Sequence, residues 1–236
     1  MNETVVFLPG MMCDARLFLP QILSLGATRP ISFMPLTGAS SMGALASAVL
    51  DAAPRKFALV AHGMGGMVAM EVLRRSPERV TRIALMDTSP QPEPPSVAGL
   101  REPRIIAVQT GKMAEAMKAE IPPECLAPGA GRRETQALLA DMAQSLGRDV
   151  FIAQSRALQR RPDQQKTLST TKVPALVLCG EHDTLYPVAR HAFMADLIPV
   201  AELRVISGAG HMPTVEQPEE TTEILRAWLE APLLVR

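Results

Sequence analysis

The amino-acid sequence predicts an α/β protein: a mostly parallel sheet covered by helices on both faces, with a helical cap inserted between two of its strands. Three observations predict it. Short apolar runs recur that do not alternate with polar residues, as expected of strands buried on both faces. Stretches with helical spacing separate these runs, the alternation that builds a doubly covered sheet. A block from Ser96 to about Lys166 is helical throughout and follows a proline-rich connector. The chain therefore divides into a core of residues 1–90 and 167–236 and a cap of residues 91–166.

Thr4 to Leu8 is an apolar, β-branched run closed by Pro9-Gly10, hence a strand and a turn. Asp14 stands at an N-cap position ahead of Leu17, Phe18, Ile22 and Leu23, which follow at helical spacing. Ile31 to Met34 is a second strand, ended by Pro35. Ser40 or Ser41 can cap a small-residue helix from Met42 to about Ala53. Phe57 to Ala61 is the third strand, and a helix from about Gly65 to Arg75 follows and stops before Pro77. Val80 to Met86 is the fourth strand. In the cap, Ile105, Ile106, Met113, Met117, Leu138, Leu139 and Met142 are the recurring apolar positions. Strand patterning resumes over Val173 to Gly180 and again over Glu202 to Ile206. A last amphipathic helix spans about Pro218 to Leu229, with Ile224, Leu225, Trp228 and Leu229 on one face.

Composition excludes several classes. Lys plus Arg and Asp plus Glu are 24 each, so no charge excess argues for nucleic acid or an anionic membrane. No apolar run reaches the ~18 to 20 residues of a spanning helix, and no signal-peptide pattern is visible. The three cysteines, Cys13, Cys125 and Cys179, have no CxxC spacing and read as free thiols in a reducing cytoplasm. Glu181-His182-Asp183 is a poor metal chelate because its residues are consecutive, so neither metal nor cofactor is expected.

Three segments carry chemistry. In Leu59-Val60-Ala61-His62-Gly63-Met64-Gly65-Gly66-Met67-Val68, small residues at 61, 65 and 66 let a strand meet a helix at a sharp angle. Gly180-Glu181-His182-Asp183-Thr184-Leu185-Tyr186-Pro187 follows a buried strand. Gly208-Ala209-Gly210-His211-Met212-Pro213 follows the next one. In this order the segments resemble the α/β-hydrolase family. There a G-x-S-x-G elbow presents a nucleophile, and an acid and a histidine follow in the chain. The resemblance covers nearly all of the chain outside residues 91–166. It implies Asp183 as the acid, with Asp87 a rival, and His211 as the base. It also implies backbone donors for an oxyanion at Met64 and in the loop Leu8-Pro9-Gly10-Met11-Met12-Cys13. Met11 is the first choice in that loop and Met12 the second. His62 reads as packing, and His191 as lying on an exposed helix face.

Gly63 occupies the apex where the family pattern has serine, and Ala61 replaces the first glycine. The implied activity is a serine hydrolase acting on a small, largely apolar ester, lactone or amide, present here as a nucleophile knockout. The alternatives are a natural pseudoenzyme or ligand receptor, or a cofactor-free lyase or oxygenase using His211 and Asp183 as a base pair. Met11, Met12, Met64 and Met212 flank the implied site, while Met113, Met117 and Met142 lie in the cap. Methionine adapts to irregular apolar space. Met12, Met212, Met113 and Met117 are therefore candidate substrate contacts. For the cap methionines, ordinary core packing competes with that reading. Arg156, Arg160 and Arg161, with Asp163, read as a solvated basic helix end rather than a carboxylate site. The expected partner is a small molecule, and the sequence leaves the oligomeric state open.

Overall fold

The computed structural model describes residues 3–232. Among these, six strands form one sheet: β1 (Thr4–Leu8), β2 (Ile31–Phe33), β3 (Phe57–His62), β4 (Val80–Met86), β5 (Ala175–Gly180) and β6 (Ala201–Ile206). Every pairing is parallel, in the order β2-β1-β3-β4-β5-β6. The central strands β1, β3, β4 and β5 are buried along almost their whole length. That is why their sequences are continuous apolar runs. The edge strand β6 exposes most of its residues, with Glu202 and Arg204 among them.

Helices α1 (Leu19–Gly26), α2 (Met42–Ala52) and α3 (Met64–Arg75) alternate with the first strands. Between β4 and β5 lie α4 (Pro95–Ala98), α5 (Arg101–Gln109), α6 (Met113–Glu120), α7 (Arg132–Leu146), α8 (Arg148–Gln159) and α9 (Gln165–Ser169). The C-terminal part adds α10 (Val188–Leu197), α11 (Pro213–Glu216) and α12 (Pro218–Glu230). Helix α1 packs on α12, whereas α2, α3, α9 and α10 form a second continuous series. Within the inserted block α5 packs on α6 and α8, and α7 packs on α6 and α8. No helix among the described residues is long and apolar enough to cross a membrane.

Local signals in the sequence translate into hydrogen bonds. The Ser41 hydroxyl accepts from Ala44 N–H at 3.2 Å and starts α2, a cap contributing about 1 kcal/mol. Asp14 accepts from Arg16 N–H at 3.0 Å and starts a short 3₁₀ turn over Ala15–Phe18 ahead of α1. The apolar face expected for α1 is corrected at one position: Leu23 is exposed and Gln21 is buried. Gln21 is tolerated inside because its amide donates to Thr214 O and Thr222 Oγ1, both at 3.1 Å, tying α1 to the C-terminal helices.

The strand order reverses its direction of growth at β1: β2 was added on one side and β3 on the other. Such a switch point opens a crevice at the carboxyl ends of the strands, where open α/β sheets bind ligands. The loop after β1 and the turn after β3 both lie there.

Candidate active site

The turn after β3 is built by close packing. Gly63 sits at φ 52° and ψ −118°, in the left-handed half of backbone space that favours glycine. Its N–H donates to Met86 O at 2.9 Å, and its carbonyl accepts from Thr88 Oγ1 at 2.6 Å. A Cβ at Gly65 would lie 2.3 Å from Leu8 O, so α3 can run this close to β1 only without a side chain there. A Cβ at Gly66 would meet the Thr88 side chain at 2.6 Å. The small residues seen in the sequence are therefore contact requirements between α3, β1 and the loop after β4.

Two further loops converge on Gly63. His211 Nδ1–H donates to Asp183 Oδ2 at 2.8 Å, and both side chains are buried. That bond leaves Nε2 as the acceptor face of the ring. A Cβ added to Gly63 would lie 3.9 Å from His211 Nε2 and 3.5 Å from Gly10 Cα, both ordinary contacts. The other oxygen of Asp183 accepts from Leu185 N–H at 2.8 Å and Tyr186 N–H at 3.1 Å. Burial works against its ionisation. The nearby His211 and these hydrogen bonds outweigh burial and hold Asp183 below the usual carboxylate range.

The histidine loop is clamped on several sides. His211 N–H donates to Cys125 O at 2.7 Å, and the His62 ring donates through Nε2 to His211 O at 2.7 Å. Glu216 accepts from Gly210 N–H at 2.7 Å, Met212 N–H at 3.1 Å and Ala127 N–H at 2.7 Å. His62 thus packs as expected. It is fully buried, its pKa is pushed down to about 3 by burial, and it holds the backbone of His211. The expectation for His191 is corrected. It is buried, and its Nε2 accepts from Thr88 N–H at 3.2 Å beside the elbow. Burial pushes its pKa down to about 4.

Asp87, the rival acid, lies next to the pair rather than in it. One of its carboxyl oxygens accepts from Gly180 N–H at 3.0 Å, and the side chain is fully buried. Burial and the charge of Asp183 push its pKa well above the usual carboxylate value, so of the two carboxyls Asp87 is the one disposed to keep its proton. Asp87, Asp183 and His211 are the group of three potential metal ligands among the described residues. A carboxyl disposed to keep its proton and a ring nitrogen whose proton is bonded to Asp183 suit a hydrogen-bonded chain better than a cation.

The loop after β1 and the start of α3 each leave one backbone amide free. Among the described residues, neither Met11 N–H nor Met64 N–H has a protein acceptor, and both residues line one cavity with Gly63 and His211. The second choice, Met12, is corrected on two counts. Its N–H is taken by Gln154 Oε1 at 2.8 Å, and its side chain is buried outside the cavity. Gln154 also donates to Leu36 O at 2.8 Å, so this α8 residue fixes the loops after β1 and β2 together. No sequence pattern marked it.

Met212 and Met117 line the cavity; Met113, also a candidate contact, does not and faces a separate groove between α6 and α7. The sequence reading missed Arg101, Glu120, Ile121, Leu158, Leu185 and Tyr186 in the cavity wall. Arg101 is buried and bonded to Glu93 at 2.6 and 2.7 Å and to Glu120 at 3.2 Å. Arg104 reaches Glu120 at 3.0 Å. Arg161, expected in solvent, is buried against Glu93 at 2.7 Å. Arg156 pairs instead with Glu102, and Asp163 accepts from Gln165 N–H at 2.8 Å outside the cavity. The three thiols are buried and free, and burial pushes that of Cys13 up to about 12.

The sequence profile described as the alpha/beta hydrolase family matches residues 5–224. A pimeloyl-[acyl-carrier protein] methyl ester esterase of Aromatoleum aromaticum is 25% identical over 200 residues, 78% of each chain. A thermophilic esterase from Thermogutta terrifontis superposes with a TM-score of 0.88 at 25% identity, covering 97% of this chain and 90% of that one. The enol-lactonase from Burkholderia xenovorans LB400 shares the fold, with a TM-score of 0.86 at 21% identity over 98% of this chain and 92% of that one.

Proposed function

The chain belongs to the alpha/beta hydrolase family, and from that premise we propose an ester-hydrolase site in which glycine holds the nucleophile position. The substrate class is a small, largely apolar carboxylic ester, with lactones and amides as close variants. The methyl ester esterase and the thermophilic esterase among its relatives support the ester. One observation carries the reading: the 3.9 Å between a Cβ on Gly63 and His211 Nε2. One further bond brings a hydroxyl within hydrogen-bond reach of that nitrogen.

In a Gly63→Ser variant the hydroxyl attacks the ester carbonyl while His211 Nε2 takes its proton. Asp183 holds the Nδ1 proton and stabilises the imidazolium. The N–H groups of Met64 and Met11 donate to the oxyanion, Met64 at the positive end of α3. The leaving alcohol takes the proton back from His211, and water activated by the same ring releases the acid. Without that hydroxyl no acyl-enzyme forms. The present chain binds and orients an ester, and residual turnover is limited to the ~10³–10⁴-fold that donors and binding supply without a nucleophile.

The measurement is kcat/KM for p-nitrophenyl butyrate. Gly63→Ser is expected to raise it at least ~100-fold, and His211→Ala in that background to return it to the starting level. A folded Gly63→Ser variant without this gain overturns the hydrolase reading. The intact His211–Asp183 pair also supports a second reading, base catalysis on a substrate's own acidic proton without a covalent step. That reading requires turnover by the present chain, abolished by His211→Ala. A receptor requires ligand retention and no gain from Gly63→Ser.

A further inference from the structure

The cavity beside Gly63 and His211 holds only about 40 Å³, room for little more than the reacting carbonyl and a water or two. A second cavity of about 370 Å³ lies between α6 and α7 and falls within the usual range of ligand sites. The two share Met117 and Ile121 as a common wall. Both residues are nearly buried, and Met113 and Leu139 continue the apolar lining on the far side. Met117 is the adaptable part of this wall, an unbranched side chain with three rotatable bonds. Ile121 is branched at Cβ and stiff.

The geometry points to the α6–α7 groove as the binding site for an unbranched aliphatic chain of the ester, entered past Met117. This rests on the hydrolase reading and deepens it. The ester carbonyl sits at Gly63, and its acyl or alkyl chain passes the Met117 side chain into the groove. The polar atoms near the catalytic cavity, on Arg101 and Glu120, are bonded to each other and to Glu93 and Arg104. Among the apolar residues of the catalytic cavity, Met117 and Ile121 are the ones that also line the groove, and this makes them the route for a hydrocarbon. The substrate class is thereby an ester with a chain of several methylenes rather than an acetate.

The present chain permits a direct test because it binds without an acyl step. With 13C-methyl methionine labelling, methyl hexanoate is expected to shift the Met113 and Met117 methyl signals. It should bind at least about tenfold tighter than methyl acetate, which is well below what four fully buried methylenes supply. Ala140→Trp fills the groove from the exposed face of α7 and should bring the affinity ratio to about one. Unshifted Met113 and Met117 signals, equal affinities, or an unchanged ratio in Ala140→Trp each overturn the groove. Ester hydrolysis by Gly63→Ser with no preference for hexanoate over acetate leaves the hydrolase reading standing and removes the groove. Hexanoate shifts at Met113 and Met117 with an inert Gly63→Ser do the reverse.

Discussion

Two kinds of residue define the site: glycines that permit contact and titratable groups that burial holds in one charge state. At Gly63 the backbone favours glycine, so a side chain there costs about 1–3 kcal/mol. The loss of glycine's unfolded-state freedom offsets about 0.4–1 of that. Gly63→Ser is therefore expected to lose about 1 kcal/mol in urea unfolding while gaining activity. The buried titratable groups predict a pH dependence of stability. His62 and His191, lowered to about 3 and 4, stay neutral in the folded protein at pH 5.5 but protonate when it unfolds. Asp87, raised in the fold, works in the opposite direction, because it holds its proton more tightly folded than unfolded. The two histidines take up close to two protons on unfolding and Asp87 can release at most one, so net uptake is positive and stability falls as pH drops from about 6.5 toward 4. Asp87→Asn removes the opposing release and should steepen the slope to about two protons. Unfolding free energies that do not change between pH 6.5 and 5 would contradict this.

Elements carry these residues by their ends. The loops after β1, β3, β5 and β6 deliver Met11, Gly63, Asp183 and His211 to one side of the sheet, the first three just past buried strands and His211 past the exposed edge strand. That placement was legible because glycine, proline and aspartate punctuate the strand ends. What was not legible is the clamping. Glu216 collects three backbone N–H groups around the histidine loop, and Gln154 holds Met12 from a helix 142 residues away. Neither leaves a periodic trace, because one polar side chain reaching another segment is a property of the assembled fold. The same holds for α1, where Gln21 replaces an expected apolar contact by hydrogen bonds. Glu216→Ala strands three backbone donors, those of Gly210 and Met212 on buried residues and that of Ala127 half-buried, and should cost about 2–3 kcal/mol of stability. In the Gly63→Ser background it should lower kcat at least about tenfold, because the imidazole is no longer held in line; an unaltered kcat would show that the loop holds without it.

At the scale of the whole molecule, the switch point of the sheet sets where the site can be, and the inserted helices set what reaches it. A mostly parallel, doubly covered sheet could be read from runs buried on both faces before any contact was known, whereas the strand order and the parallel pairing of every strand come from the structure. The packing of the inserted helices could not be read either. Their cohesion around the cavity depends on Glu93, Arg101, Glu120, Arg104 and Arg161, of which Arg161 in sequence looks like part of a solvated helix end and the others carry no pattern that marks their burial. Glu93 compensates two buried guanidinium groups, so Glu93→Gln is expected to destabilise the protein by about 3–5 kcal/mol, read by thermal or urea unfolding. Less than about 1 kcal/mol would mean that solvent already screens the cluster. The central claim is spatial: His211 Nε2 faces the position of a hydroxyl at residue 63, and Met11 and Met64, whose amides are free, line the same cavity. A fluorophosphonate probe followed by peptide mass spectrometry tests it most directly. The account predicts a single adduct on residue 63 of the Gly63→Ser variant, none on the present chain, and loss of the adduct with His211→Ala. A folded Gly63→Ser protein that stays unlabelled would contradict it.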